Sequence, residues 1–192
     1  IRSSIYPGIY DKVYEIIKNK CKNLSYCPER IVQGKSITEL PKLPQIVSGK
    51  NKYSIRKSGE IFKKVCKKII YTSVIEAELI KLFSNAYRYI NFSISNQFYM
   101  ICKNQNLDFF KVRKIMRDGY LRNANIPMSG FTAGPCLLKD TMQLSHFFDN
   151  KFSLGHSAMD VNEGIPKFIL DKLEKDIGLK DKVVGVLGLS FK

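Results

Sequence analysis

Residues 74–105 read VIEAELIKLFSNAYRYINFSISNQFYMICKNQ. The run contains neither proline nor glycine, the residues that cost a helix interior about 3 and 1 kcal/mol. It therefore predicts one helix on the order of 45 Å long at 1.5 Å of rise per residue. Its apolar residues wrap nearly the whole cylinder: Val74, Ile75, Leu79, Ile80, Leu82, Phe83, Tyr87, Ile90, Phe92, Ile94, Phe98, Met100 and Ile101 cannot all face one small core. Burial on several sides, including a contact with another subunit, is expected. Glu76, Glu78, Lys81, Asn85, Arg88, Asn91 and Asn96 interrupt every stretch long enough to cross a bilayer, where each would be costly.

Upstream, Ile1 to Tyr6 reads as the end of a strand entering a helix marked by Ile9, Val13, Ile16 and Ile17, the closing unit of an α/β layer. The Pro-, Gly- and Ser-rich segment 24–49 predicts loops with β-like pieces at Arg30–Val32 and Gln45–Val47. Helical spacing runs from Ser58 to Ile70, followed by a strand at Ile70-Tyr71-Thr72. Downstream, a helix over Asp108–Arg117 precedes a Gly-, Pro- and Asn-rich loop, Asp118–Pro135, whose length points to a use. Helices follow at Cys136–Asp149 and His156–Asp176, then a connector and a buried strand from Val183. The fold class is mainly α with α/β ends. Beginning at Ile1 and stopping just after an apolar run, both ends read as cut from a longer polypeptide.

The formal charge is +15, from 32 Lys and Arg against 17 Asp and Glu, which favours anionic partners. The lysines are scattered over predicted solvent faces and no basic-aromatic signature accompanies them, so nucleic acid is not the expected partner. Five cysteines, with no C-x-x-C pair and no histidine at metal spacing, argue against a disulfide framework and a zinc site. Reduced thiols in the cytoplasm are the expectation.

One thiol has a distinctive setting. In Gly134-Pro135-Cys136-Leu137-Leu138-Lys139-Asp140, proline suits the first helical position and puts Cys136 in the first turn. The open N–H groups and the dipole there favour thiolate. Lys139 adds a cation, and Asp140, one turn on, could order a water or orient Lys139. The plain alternative is a buried cysteine that happens to begin a helix. Glu78, Lys81 and Asn85, at i, i+3 and i+7, form one polar stripe. The stripe reads either as a cation and an amide aimed at a reacting oxygen or as a surface Glu78–Lys81 pair. Glu29, in Tyr26-Cys27-Pro28-Glu29-Arg30, is a candidate base or an ordinary loop glutamate. His146 and His156 stand alone, and Gly185 to Gly188 lacks the spacing of a dinucleotide fingerprint.

In order, Ser3-Ser4-Ile5, Cys27-Pro28-Glu29-Arg30, Glu76 to Asn85, Gly134 to Asp140 and Gly188-Leu189-Ser190-Phe191-Lys192 resemble the UDP-glucose/GDP-mannose dehydrogenase family over essentially the whole chain. The resemblance implies an NAD-dependent, four-electron oxidation of a nucleotide sugar's primary alcohol to the acid, through a cysteine thiohemiacetal and thioester. It casts Cys136 as nucleophile, Lys81 and Asn85 as oxyanion donors, Asp140 as assistant to a water or to Lys139, and Glu29 as the aid to thioester hydrolysis. It puts Ser4, Arg122 and Lys192 at the substrate, Ser4 standing where the family often has threonine near the same water, and Lys139 at the cofactor. It also implies a cytoplasmic homodimer or higher homo-oligomer joined through the long helix, with no metal, membrane or nucleic acid.

The corresponding domains are 1–73, the end of a Rossmann-like NAD-binding domain; 74–177, the helical dimerisation domain; and 178–192, the start of a second α/β domain. Gly134-Pro135-Cys136 departs from the family's Gly-Gly-x-Cys and leaves the sugar open. No G-x-G-x-x-G precedes Ser3 and no nucleotide-binding domain follows Lys192, so the chain alone is expected not to turn over. The competing expectations are a noncatalytic helical scaffold fragment and a basic nucleic-acid-binding module. Intact Cys136, Lys81, Asn85 and Asp140 favour the enzyme.

Overall fold

The structure is a computed structural model that describes residues 1–32, 34–132 and 135–188. The chain forms two compact units, Ile1–Ser84 and Asn85–Lys192.

In the first unit the predicted helix after Pro7-Gly8 is α1, Ile9–Ile17. Gly8 begins it at φ 88°, a left-handed conformation natural to glycine. A two-residue strand β1, Ser25–Tyr26, and a single turn α2, Ser36–Glu39, lead to β2, Gln45–Gly49. The crossover helix α3, Lys52–Lys63, returns to β3, Ile69–Tyr71. The sheet order is β1-β2-β3: Tyr26 pairs with Ser48 antiparallel, and Ile46 with Ile70 parallel. The central strand carries Ile46 into a core with Tyr10, Tyr26 and Ala77, and Val47, on the opposite face of the strand, is buried as well. Tyr10 also ties the layer together through its hydroxyl, which donates to Leu24 O at 2.7 Å and accepts from Lys50 N–H at 3.1 Å.

Three local expectations are corrected here. Residues 1–6 make no regular strand: Ile1 O and Arg2 O each accept a hydrogen bond, from Cys27 and Glu29 N–H at 2.9 Å, too few for a ladder. Arg30–Val32 is not β either, because carboxylates capture its amides. Glu29 accepts from Arg30 and Ile31 N–H at 2.8 and 2.9 Å, and Glu39 accepts from Val32 N–H at 2.8 Å. Finally, α3 begins six residues before Ser58, where Asn51 caps it by accepting from Ser54 N–H at 2.7 Å; the polar first turn hides it from an apolar-period reading.

The long helix α4 spans Val74–Asn104, 31 residues. Its start is a capping box: Ser73 N–H donates to Glu76 at 2.9 Å, and Glu76 N–H to Ser73 Oγ at 3.3 Å. Hydrogen bonds from the Thr72 hydroxyl, the Ser73 hydroxyl and the Ser73 N–H pull the Glu76 carboxyl down to about 2. On the face turned into the first unit, Glu78 is 1% exposed. Its carboxylate accepts from Gly8 N–H at 2.8 Å and Tyr10 N–H at 3.1 Å. The expected alternative of a surface pair with Lys81 is therefore overturned: Glu78 is the anion at the N-terminus of α1, where unpaired N–H groups and the dipole favour it.

The second unit holds the rest of α4 with α5, Phe109–Arg117, a 3-10 turn at Leu121–Asn123, α6, Pro135–Phe147, and α7, Ser153–Ile177. Tyr89, Leu137 and Ala158 form its core with Ile90, Phe92, Leu138 and Met159. Pro166 lies inside α7, so Asn162 O, four residues back, receives no N–H from it. Over the described residues 183–188 the expected strand does not form: Val183 and Leu187 are fully exposed, and no described strand offers ladder partners. Among the described residues, no helix is long and apolar enough to cross a membrane. Along α4, Phe83, Tyr87, Ile94, Phe98 and Ile101 remain exposed.

Candidate active site

Helix α6 begins at Pro135 and holds Cys136, exposed, in its first turn. The positions that follow sort by helical period: Leu137, Asp140, Thr141 and Leu144 are buried, while Cys136 and Lys139 face outward. Asp140 is 0% exposed. Asn85, itself buried on α4, donates from Nδ2 to Asp140 Oδ2 at 2.6 Å. Lys139, half exposed, brings Nζ to 3.0 Å from Asp140 Oδ1. A buried carboxyl group needs polar partners; here a buried amide hydrogen-bonds one oxygen and a cation lies 3.0 Å from the other. The arrangement fixes one amide hydrogen of Asn85, and Lys139 and Cys136 are both exposed on α6. Of the other thiols, Cys27 and Cys66 are buried, and burial raises both above the ordinary thiol range. Cys102 is buried and Cys21 is exposed.

In the first unit, Glu29 sits in a cradle of donors. Arg30 and Ile31 N–H meet Oε1, and the Arg2 guanidinium pairs with Oε2. Arg2 also stacks over the Phe62 ring, 4.8 Å from its centroid. Partial burial works to raise the Glu29 carboxyl, but the Arg2 hydrogen bond, the Ile31 N–H, the Arg2 charge and the Arg30 N–H outweigh it and hold it below the usual range. A cavity of about 10 Å³ beside it is lined by Pro28, Glu29, Leu40, Leu43, Pro44 and Gln45, at the lower bound of room for one water. Lys81 is half buried on α4 and Ser4 is half buried near the start of the chain. Arg122 is exposed in the 3-10 turn, donating to Tyr120 Oη at 3.1 Å. Gly134 and Lys192 lie outside the described residues.

Sequence reasoning passed over the hydrogen bonds that hold the loop leading to Cys136. Asn96 is 0% exposed. It accepts from Gly130 N–H at 2.8 Å and donates to Gly130 O at 3.1 Å. Its second amide hydrogen goes to Asn162 Oδ1 at 2.8 Å, and Asn162 Nδ2 donates to Tyr89 O at 3.1 Å. Ser95 Oγ donates to Pro127 O at 2.9 Å, and Arg113 donates to Ile126 O and Pro127 O. Burial and the hydrogen bond to Glu163 push the Tyr89 phenol up. The available signal was asparagine in an apolar helix, since a buried amide requires partners.

An exposed thiol thus opens a helix one turn ahead of a buried aspartate that is itself paired to an asparagine of the long helix. Residues 75–164 match the UDP-glucose/GDP-mannose dehydrogenase family, central domain. Over 197 aligned residues the chain is 30% identical to the UDP-N-acetyl-D-mannosamine dehydrogenase of Methanococcus maripaludis, covering 100% of this chain and 45% of that protein. It therefore spans about half the length of the curated relatives it matches. Among solved structures it is similar to a UDP-D-ManNAc dehydrogenase from Pyrococcus horikoshii, with TM-score 0.80 and 25% identity over 91% of this chain and 44% of that one. The UDP-N-acetyl-mannosamine dehydrogenase Cap5O from Staphylococcus aureus gives TM-score 0.76 and 26% identity over 94% and 44%.

Proposed function

We propose that this chain is the central part of an NAD-dependent nucleotide-sugar dehydrogenase that oxidises a primary alcohol of the sugar to the carboxylate, with Cys136 as nucleophile. The observation that carries the reading is the exposed Cys136 in the first turn of α6, next to a Lys139–Asp140–Asn85 chain of partners. The curated relatives, named as UDP-N-acetyl-D-mannosamine dehydrogenases, make a UDP-linked sugar the first substrate to try. The domain assignment follows the family: 1–73 closes the cofactor domain, 74–177 is the helical domain, and 178–192 opens the nucleotide-sugar domain.

None of the side chains at the site accepts hydride, whereas half-exposed Lys139 fits a cation facing a polar cofactor; NAD, when bound, supplies the acceptor for two electrons at each of two oxidations. At the aldehyde level Cys136 Sγ bonds to the carbonyl carbon, and the carbonyl oxygen becomes the alkoxide of a thiohemiacetal. Lys81 and the second amide hydrogen of Asn85 stabilise that oxygen. Oxidation of the adduct leaves a thioester. Water then breaks the C–S bond, giving the acid and returning the proton and thiol to Cys136. Glu29, held below the usual carboxylate range, serves as an anion that orients the water more than as a strong base. Ser4, Arg122 and Lys192 are the proposed substrate contacts. The exposed apolar residues of α4 make a second copy of the chain the proposed partner, and the reduced thiols suit the cytoplasm.

The test is Cys136→Ser in the full-length gene product, assayed for NADH and acid with UDP- and GDP-sugars. Loss of acid formation by more than about 10³-fold is expected for a missing nucleophile. Acid formed at the wild-type rate would refute the assignment.

A further inference from the structure

Gly130 lies six residues ahead of Cys136 and has φ 152°, a conformation that residues with a Cβ rarely adopt. Glycine reaches it freely, and the side chain of Asn96 selects it here. It contacts both backbone groups of Gly130, accepting from the N–H and donating to the carbonyl, as a neighbouring strand would. The amide cannot turn over: reversal would set oxygen against the Gly130 carbonyl and lose the bond to Asn162 Oδ1. Asn162, 3% exposed, is in turn oriented by Tyr89 O. Every polar atom of the Asn96 amide is thus used inside the protein, in a place where an unmade hydrogen bond costs about 1–3 kcal/mol.

We propose that Asn96 is a positioning residue for Cys136: oriented by Asn162, it grips both backbone groups of Gly130 and so fixes where the chain begins its approach to α6 and the thiol. This rests on the assignment of Cys136 as nucleophile. Asn96 touches no reacting atom in this scheme. Its effect is registration, for which a displacement of about 1 Å can cost on the order of 10²-fold in rate. The anchors at Pro127 and Ile126 hold the preceding stretch through Ser95 and Arg113, leaving the Asn96 grip as the described side-chain contact nearest in sequence to the cysteine on the loop's backbone.

The experiment uses the full-length protein with Asn96→Ala, Asn162→Ser and, as control, Asn91→Ala, a residue of the same helix that donates to Tyr87 O in its own preceding turn. Hydrogen exchange of a peptide covering 126–132, the alkylation rate of Cys136, kcat and KM are read together. For Asn96→Ala the expected result is faster exchange at Gly130, an altered Cys136 alkylation rate and kcat lower by on the order of 10²-fold, with KM changed much less. Asn162→Ser should give a smaller loss of the same kind, and Asn91→Ala none. If Asn96→Ala does not fold, Asn162→Ser alone decides: faster exchange at Gly130 with lower kcat supports the role, and unchanged kcat overturns it. Wild-type kcat in Asn96→Ala beside an inactive Cys136→Ser would overturn the positioning role alone, whereas an active Cys136→Ser would remove the reading beneath it.

Discussion

Replacing Glu78 should unlock the start of α1 while leaving the second unit untouched. The Glu78 carboxylate is almost fully buried and accepts from Gly8 N–H at 2.8 Å and Tyr10 N–H at 3.1 Å. A hydrogen bond to a charged group contributes about 1.5–3 kcal/mol, and an anion at a helix N-terminus adds about 0.3–1 kcal/mol. Gly8 N–H is partly open to water, which can replace its bond, so the lower end applies to it. Glu78→Ala should then cost the local structure about 3 kcal/mol, or on the order of 10²-fold in the opening equilibrium. Glu78→Gln keeps one carbonyl oxygen for one of the two amides and should cost about half as much, roughly tenfold. Hydrogen exchange followed by mass spectrometry on a peptide covering 8–17 reads this directly, with a peptide from α5 as internal reference. The reasoning fails if the alanine variant exchanges in 8–17 within about threefold of wild type, or if α5 changes as much as α1.

Thiol labelling of the native protein should modify Cys21 and Cys136, both exposed, and reach Cys27, Cys66 and Cys102 only on unfolding. Raising the pH should help the buried Cys27 and Cys66 least at neutrality, since burial holds their thiols protonated; labelling of all five at equal rates would contradict the burial pattern. Ser73→Ala should let the Glu76 carboxyl rise from about 2 toward the ordinary value near 4.3. The folded value is the depressed one, so the stabilisation is present above about 4.3 and disappears as pH falls toward the folded value. An NMR titration of Glu76 that does not move in the variant would rule out the capping box as its cause.

How much of this could be read in advance depended on whether a residue's partners were near it in sequence. The long helix was legible because 32 residues without a breaker leave a helix little competition, and Pro135 fixed the start of α6 for the same local reason. The capping box at Ser73 and Glu76 is equally local, but its polar residues lie outside the apolar period that marks the helix. Arg30–Val32 misled because its amides are taken by the carboxylates of Glu29 and Glu39, a side-chain event that β propensity does not register. Glu78 misled in another way: spacing put it in line with Lys81 and Asn85, but its partners are 70 and 68 residues away. Asn96 and Asn162 are 66 apart and neither carries a motif. Cys136, Lys139 and Asp140 were visible as a run. The Asn85–Asp140 bond, across 55 residues, had to come from the fold.

The first turns of α4 complete the first unit. Ala77 belongs to the core of the first unit and Glu78 closes its first helix. During synthesis the sheet and α1 therefore leave the ribosome unfinished, and at about 5–20 residues per second they wait on the order of a second for the start of α4 to complete them. A gene cut after residue 73 would make that wait permanent. Cutting within α4 after Ser84 would keep the first unit's core and its helix cap on one polypeptide.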